Sequence, residues 1–163
     1  MHALVIDDHP LIHEIMSAVL RKALGEVAVA TEATLEAGLS RAAGATQPDL
    51  VLLDLGLPGC EGLAALERFR MRFPQLPVVV ISASCDRASI LGALEAGANG
   101  FIPKTSKPEV MIAALKVVAS GGTYVPPEAL EGAVKEPVRE QRRRDGAVDL
   151  SDRQTAPQAA PKR

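Results

Sequence analysis

The sequence predicts an α/β domain over residues 1 to 130: a doubly wound, parallel five-stranded sheet made of five β–α units. Three observations carry that prediction. Short apolar runs recur at Ala3 to Ile6, Val27 to Ala30, Leu50 to Leu53, Val78 to Ile81 and Gly100 to Ile102, with longer amphipathic stretches between them. Strict alternation with short links requires right-handed crossovers, which put helices on both faces of a parallel sheet. Hydrophobic residues make up 47% of the chain but aromatics only 2%, with no Trp, so the core is aliphatic, as in a buried parallel sheet.

The 163 residues suffice for one domain with a sizeable core and not for two. The first run ends in Asp7 and Asp8, and Pro10 opens a helix where the missing N–H costs nothing. Leu11, Ile15, Val19 and Ala23 then fall at helical spacing. The helix after the second run is required by the alternation alone. The third run gives way to Gly56, Pro58 and Gly59, a turn, and then to a stripe at Leu63, Leu66, Phe69 and Phe73. After the fourth run the stripe is Ile90, Leu91, Leu94 and Ala98, and Gly97 and Gly100 flank the start of the last strand. Ser106 and Glu109 have capping-box spacing around Pro108, and Val110, Ala114, Leu115 and Val118 form the closing stripe.

Beyond Leu130 the texture changes. Between Glu131 and Arg163 the aliphatic residues other than Ala are Val134, Val138, Val148 and Leu150, against fourteen charged residues and three prolines. Such a segment cannot bury enough surface to order itself, so residues 131–163 are expected to be a disordered charged tail or vestigial linker. The run Arg142 to Arg144 reads as solvated charge.

Charge excludes several functions. The net charge is -2, with 10 Lys and Arg against 14 Asp and Glu in residues 1 to 130 and 8 against 6 thereafter. No basic surface for nucleic acid or membrane follows from that balance. Cys60 and Cys85 form no CxxC pair and suit reduced thiols. The start of the chain is no signal peptide, and no run reaches the roughly 20 apolar residues of a membrane helix, so a cytoplasmic location is expected.

The residues that end the runs carry the chemistry: Asp7 and Asp8, Asp54, Ser82 and Lys104. In an open parallel sheet the carboxyl ends of the strands share one edge, and ligands bind there where strand order reverses. Each residue alone has an ordinary alternative, such as a turn acid or a surface lysine. Together they bring three carboxylates, a hydroxyl and an ammonium to one edge. Crowded carboxylates need a cation, and Mg²⁺ suits Asp7, Asp8, Asp54 and the backbone carbonyl of Gly56 as ligands. The chemistry favoured is attack by the Asp54 carboxylate on phosphorus, giving an aspartyl phosphate, with Lys104 and the metal stabilising the transferring group. Ser82 would hydrogen-bond the new phosphoryl group and so alter its loop.

The strings DDHPL (Asp7 to Leu11), LLDLGLPGCEGL (Leu52 to Leu63), VVVISAS (Val78 to Ser84) and AGANGFIPKTS (Ala96 to Ser106) resemble the receiver domain of response regulators in two-component systems. DDHP, FIPK and GGTYVPPE (Gly121 to Glu128) resemble its NarL/LuxR-type subfamily, and the match runs from about residue 2 to residue 130. The resemblance implies a flavodoxin-like, CheY-like (βα)5 fold and makes Asp54 the phosphoacceptor, Asp7 and Asp8 the acidic pair, and Lys104 the lysine that holds the phosphoryl group. It makes Ser82 and Phe101 the switch residues. It further implies a sensor histidine kinase or phosphotransfer protein as donor, a homodimer or an effector protein as output, and a switch of the surface made by the fourth helix, fifth strand and fifth helix. The chain would assist its own phosphorylation and dephosphorylation without being an enzyme in the usual sense.

Two departures stand out. Thr105, not proline, follows Lys104, which makes a cis bond there improbable. Leu150, Ser151, Arg153 and Gln154 resemble the opening of a helix-turn-helix effector, but Pro157 and Pro161 follow, so no direct nucleic-acid contact is expected. A DNA-binding regulator of the LuxR type, truncated, remains an alternative, as does a Mg²⁺-dependent phosphatase forming an aspartyl phosphate. Phosphatases related to haloacid dehalogenases need an acid two residues after the nucleophile, where this chain has Gly56. A flavin-binding function is poorly served by an acidic first loop and a single Tyr.

Overall fold

In the computed structural model, residues 1–131 are described, and they contain five strands and five α-helices in strict alternation: β1 (His2–Ile6), α1 (Pro10–Leu24), β2 (Ala28–Glu32), α2 (Leu35–Ala42), β3 (Leu50–Asp54), α3 (Leu63–Arg72), β4 (Val78–Ser82), α4 (Arg87–Glu95), β5 (Gly100–Pro103) and α5 (Pro108–Ala119). A short 3₁₀ turn over Pro127–Ala129 follows. The strands form one parallel sheet in the order β2-β1-β3-β4-β5. The chain moves outward from β1 to β2 and then returns to the other side of β1, so the order reverses between β1 and β3. A crevice opens at such a point because the two flanking crossovers leave on opposite faces.

Side chains alternate across each strand, so one strand feeds two cores. In β1, Leu4 and Ile6 join the cluster beneath α2, α3 and α4, with Leu39, Leu53, Phe69 and Ile90. Ala3 and Val5 join Met16, Leu20, Leu52, Ile102 and Leu115 beneath α1 and α5. Residues of β3 and β4 are buried along their whole length, as continuous apolar runs covered on both faces must be. Helix α2 approaches the sheet closely: a Cβ on Gly38 would lie 2.3 Å from Ile6 Cδ1. The side chain of Thr34 caps this helix by accepting the Ala37 N–H.

Several local expectations shift. β2 begins one residue and ends two residues later than its apolar run, because edge pairing with β1 from His2 to Ile6 sets its limits. In α1 the buried face is Met16, Val19 and Leu20, while Leu11 is 65% exposed and Ile15 is also exposed. The helix carries apolar residues around more than one side, and its packing beside α5 chooses among them. In α5 Val110 is exposed and Met111 is buried in its place. Ser106 does not cap α5: the N-cap is Lys107, without a side-chain cap bond, and the Ser106 N–H is spent on the Pro103 carbonyl. Gly97 adopts φ 101° in the turn into β5, a left-handed conformation that favours glycine. Among the described residues no peptide bond is cis.

After α5 the chain runs along the outer edge of β5. The Tyr124 N–H donates to the Asn99 carbonyl and the Phe101 N–H donates to the Tyr124 carbonyl. Arg87 Nε at the start of α4 then donates to the carbonyl of Ala129, which is buried. The contact-dense unit extends from Met1 to Ala129. Apart from Glu131, the tail expected over residues 131–163 lies outside the described residues, and Arg142 to Arg144 with it. Among the described residues no helix is long and apolar enough to cross a membrane.

Candidate functional site

Register brings the strand-end residues into a row. Ile6 pairs with Leu53 and Asp54 with Ile81, so Asp7, next after Ile6, comes level with Asp54. Ser82 pairs with Pro103, which sets Lys104 one residue past the end of β5, and the Lys104 N–H donates to the Ser82 carbonyl at 2.8 Å. The five residues 7, 8, 54, 82 and 104 therefore converge at the crevice between β1 and β3 and along the adjoining strand ends. A cleft of about 470 Å³ opens there, lined in part by His9, Asp54, Gly56, Ser82, Ser84 and Lys104. A larger groove of about 760 Å³ lies under α2 along β2, lined by Ala28, Ala30 and Ala37 among others, and lacks this convergence of charge.

The carboxylates are buried: Asp7 is 0% exposed and Asp54 2%. Lys104 Nζ lies 2.7 Å from Asp7 Oδ2 and 3.2 Å from Asp54 Oδ2. Both oxygens, and Asp8 Oδ1 beside the His9 ring, are buried and lack a partner in hydrogen-bond geometry. Burial pushes the Asp7 carboxyl up, but the Lys104 ammonium and the N–H and ring of His9 outweigh it and hold the pKa below its ordinary value. For Lys104 the same competition runs the other way: burial lowers the pKa, and Asp7 and Asp54 together raise it further. Asp54 Oδ1 accepts the Gly56 N–H at 3.0 Å, while Oδ2 faces the Lys104 ammonium.

Three carboxylates, two of them buried and Asp8 part-exposed, outnumber the one ammonium. Potential ligand atoms from Asp7, Asp8, His9 and Asp54 all lie within 4.8 Å of one another. Unpartnered, buried, hard oxygen donors at this spacing fit a divalent cation such as Mg²⁺. Gly56 lines the cleft beside Asp54, in accord with a backbone ligand from that residue.

Ser82 is buried at the end of β4, and its Oγ accepts the Ser84 N–H at 3.1 Å. The Ser84 hydroxyl donates to Asp86 Oδ2, and Asp86 caps α4 by accepting the Ser89 N–H. Hydrogen bonds thus run without a break from the cleft to a helix end. Phe101 on β5 is fully buried in the cluster that contains Ile90 and Ala93 of α4. That position suits a plain core ring and equally a switch ring in its inward orientation.

Two residues of the site went unnoticed in the sequence. His9 donates its N–H to Asp7 Oδ1 at 2.8 Å, and its Nδ1 lies 2.8 Å from Asp7 Oδ1 and 3.1 Å from Asp8 Oδ1. His13 Nε2 bonds the Asp7 carbonyl, so that nitrogen carries the proton. Their four-residue spacing at the start of an amphipathic helix, directly after two acids, was the available signal.

A family model described as the response regulator receiver domain matches residues 3–116. The glycerol metabolism activator of Pseudomonas putida is 37% identical over 127 residues, 78% of this chain and 58% of that protein. The nitrate/nitrite response regulator protein NarL of Escherichia coli strain K12 is 34% identical over 118 residues, 72% of this chain and 54% of that protein. A crystal structure of a LuxR family DNA-binding response regulator from Silicibacter pomeroyi matches with TM-score 0.69 and 32% identity, covering 77% of this chain and 97% of that one. The chain spans a little over half the length of these curated relatives.

Proposed function

This chain belongs to the family of response regulator receiver domains, and from that premise we propose that it is the phosphoacceptor of a two-component phosphorelay, with Asp54 as the residue modified. The observation that carries the reading is a buried Asp54 whose Oδ2 is unpartnered in hydrogen-bond geometry, 3.2 Å from the Lys104 ammonium and beside two further carboxylates.

The Asp54 Oδ2 lone pair attacks phosphorus of the donor, a phosphohistidine on a sensor histidine kinase or phosphotransfer protein. The new P–O bond forms as the P–N bond breaks, and the donor imidazole leaves with the electron pair and takes up a proton from water. Gly56 N–H holds Oδ1, while Oδ2 faces the Lys104 ammonium. Asp7, Asp8, Asp54 and the Gly56 carbonyl would hold Mg²⁺, which when bound neutralises charge spread over the transferring phosphoryl group. Lys104 supplies a further fixed positive charge to the phosphoryl oxygens, without reorganisation at the moment of reaction.

The same residues couple modification to the surface. The Ser82 hydroxyl donates to a phosphoryl oxygen, and its movement draws on Ser84 and, through it, on the Asp86 cap of α4. Phe101, packed under α4, stays inward in that state. The altered α4-β5-α5 face is then read by an effector protein or a second copy of the chain. The relatives include the nitrate/nitrite response regulator protein NarL and a LuxR family DNA-binding response regulator; control of transcription, a cytoplasmic location and residues 1–130 as the receiver unit form part of this proposal, with no nucleic-acid contact assigned to the described residues. Incubation with acetyl phosphate and Mg²⁺ tests it by intact mass: the wild type gains one phosphoryl group and Asp54→Asn none. Modification that survives Asp54→Asn refutes the assignment.

A further inference from the structure

The outer edge of β5 is not open. Residues 121–129 lie along it as a strap: the Tyr124 N–H donates to the Asn99 carbonyl at 3.1 Å, and the Phe101 N–H donates to the Tyr124 carbonyl at 3.3 Å. Gly100 permits this closeness, since a Cβ there would come within 3.4 Å of Tyr124 Cβ. Further on, Ala129 is 2% exposed and packs into the cluster that holds Phe101 of β5 with Ile90 and Ala93 of α4. Its carbonyl accepts Arg87 Nε at 3.1 Å, a bond that joins the end of the strap to the first residue of α4. One residue works against the strap. Among the described residues Glu128 Oε2 is shut from solvent with no hydrogen-bond partner, so opening regains hydration for a carboxylate.

We propose that Arg87 latches this strap and that phosphorylation of Asp54 undoes the latch, so that the strap leaves the edge of β5 when the domain is modified. The trigger rests on the phosphoacceptor reading; the latch rests on the Arg87 contact alone. Ser82 Oγ accepts the Ser84 N–H, the Ser84 hydroxyl donates to Asp86 Oδ2, and Asp86 immediately precedes Arg87. When the Ser82 hydroxyl turns to a phosphoryl oxygen, Ser84 loses its partner and the start of α4 shifts with the loop. Nε lies part-way along the Arg87 side chain and has less slack than the terminal nitrogens. A hydrogen bond is lost beyond roughly 3.5 Å, so a shift of about 0.5 Å is enough to open this one. The consequence bears on output: in the unmodified state the strap covers the β5 part of the α4-β5-α5 face, and modification exposes it.

Hydrogen exchange of the full chain, followed by mass spectrometry, tests this with Mg²⁺ in every sample and acetyl phosphate in excess in half of them; intact mass counts the phosphoryl groups. Peptides that cover residues 121–129 and Phe101 should exchange at least about fivefold faster in the modified protein, roughly what one net hydrogen bond contributes. Arg87→Ala should show the same rise with no phosphoryl donor present, and modification should then add less than about twofold. Amides of β3 should keep their rate throughout, and a rise there equal to that in the strap overturns a local latch. Unchanged strap exchange in Arg87→Ala also overturns the latch. If the wild type carries one phosphoryl group and its strap exchange is unchanged, the release has failed and Asp54 stands as the phosphoacceptor. If no phosphoryl group is gained, or the gain survives Asp54→Asn, the trigger falls together with the phosphoacceptor reading, and the Arg87→Ala comparison still decides the latch.

Discussion

Removal of the Lys104 ammonium should make folding stability depend on pH in a range where neither Asp7 nor Lys104 titrates in the wild type. Asp7 is held below its ordinary value, so its contribution is present above about 3.8 and lost as pH falls through the lowered value. Lys104 is held above its ordinary value of 10.5, so its contribution is full below that and lost as pH rises through the raised value. Neither titrates near neutrality. In Lys104→Ala, burial becomes the dominant influence on the Asp7 carboxyl, and two buried carboxylates face each other. The cheapest relief is to protonate one. Against an ordinary value of 3.8 that costs about 1.36 kcal/mol per pH unit, hence about 4 kcal/mol at pH 7 and about 1.6 kcal/mol at pH 5. Removing one partner of a buried pair costs roughly 3–5 kcal/mol by mutational experience, so the two routes agree at neutral pH. Urea denaturation followed by circular dichroism, with chelator present to exclude divalent ions, reads the difference. A loss below about 1 kcal/mol at pH 7, or the same loss at pH 5 and pH 7, refutes the electrostatic account of this cluster.

Gly38→Ala should overpack α2 against β1, because the added Cβ meets Ile6 Cδ1 at 2.3 Å in a closed core; a cost of about 1–3 kcal/mol is offset by about 1 kcal/mol of helix propensity, and thermal unfolding should show Ile6→Val/Gly38→Ala to be less destabilised than the sum of the single changes. The Asp86 carboxyl, held down to about 2 first by Ser89 and then by Ser84, should return toward its ordinary value of 3.8 in Ser89→Ala, as read by NMR titration. Because that pKa is depressed, the α4 cap in the wild type persists above 3.8 and is lost only as pH falls through about 2. Arg70→Ala should cost about 1–3 kcal/mol in chemical denaturation, since the carbonyls of Gly97 and Leu76 and Oδ1 of Asn99 all lose a donor, and amide exchange should rise around residues 97–99.

Much of the fold was legible because its signals are local. An apolar run of four or five residues with no polar interruption, as in Val78 to Ile81, can be buried on both faces and in little else than a parallel sheet. The strand ends were legible for the same reason: the change from Leu53 to Asp54, or from Ile6 to Asp7, marks where the apolar run stops, although both acids are themselves buried. Helix faces were less so. Leu11 and Ile15 satisfy helical spacing as well as Met16 and Leu20 do, and nothing within α1 says which side meets α5. Ser106 has the spacing of a cap, yet its N–H is claimed by Pro103, a contact that depends on how β5 ends.

The sequence by itself determined the alternation of strands and helices, the aliphatic core and the identity of the residues that end the strands, because each follows from the chemistry of a few neighbours. Tertiary structure alone decided the order β2-β1-β3-β4-β5, the register that brings Asp7 level with Asp54, and the turn of the His9 ring toward the acidic pair. Those depend on which distant segments share hydrogen bonds and a core. Parallel pairing is set by the packing of both faces at once, and no window of consecutive residues contains that information.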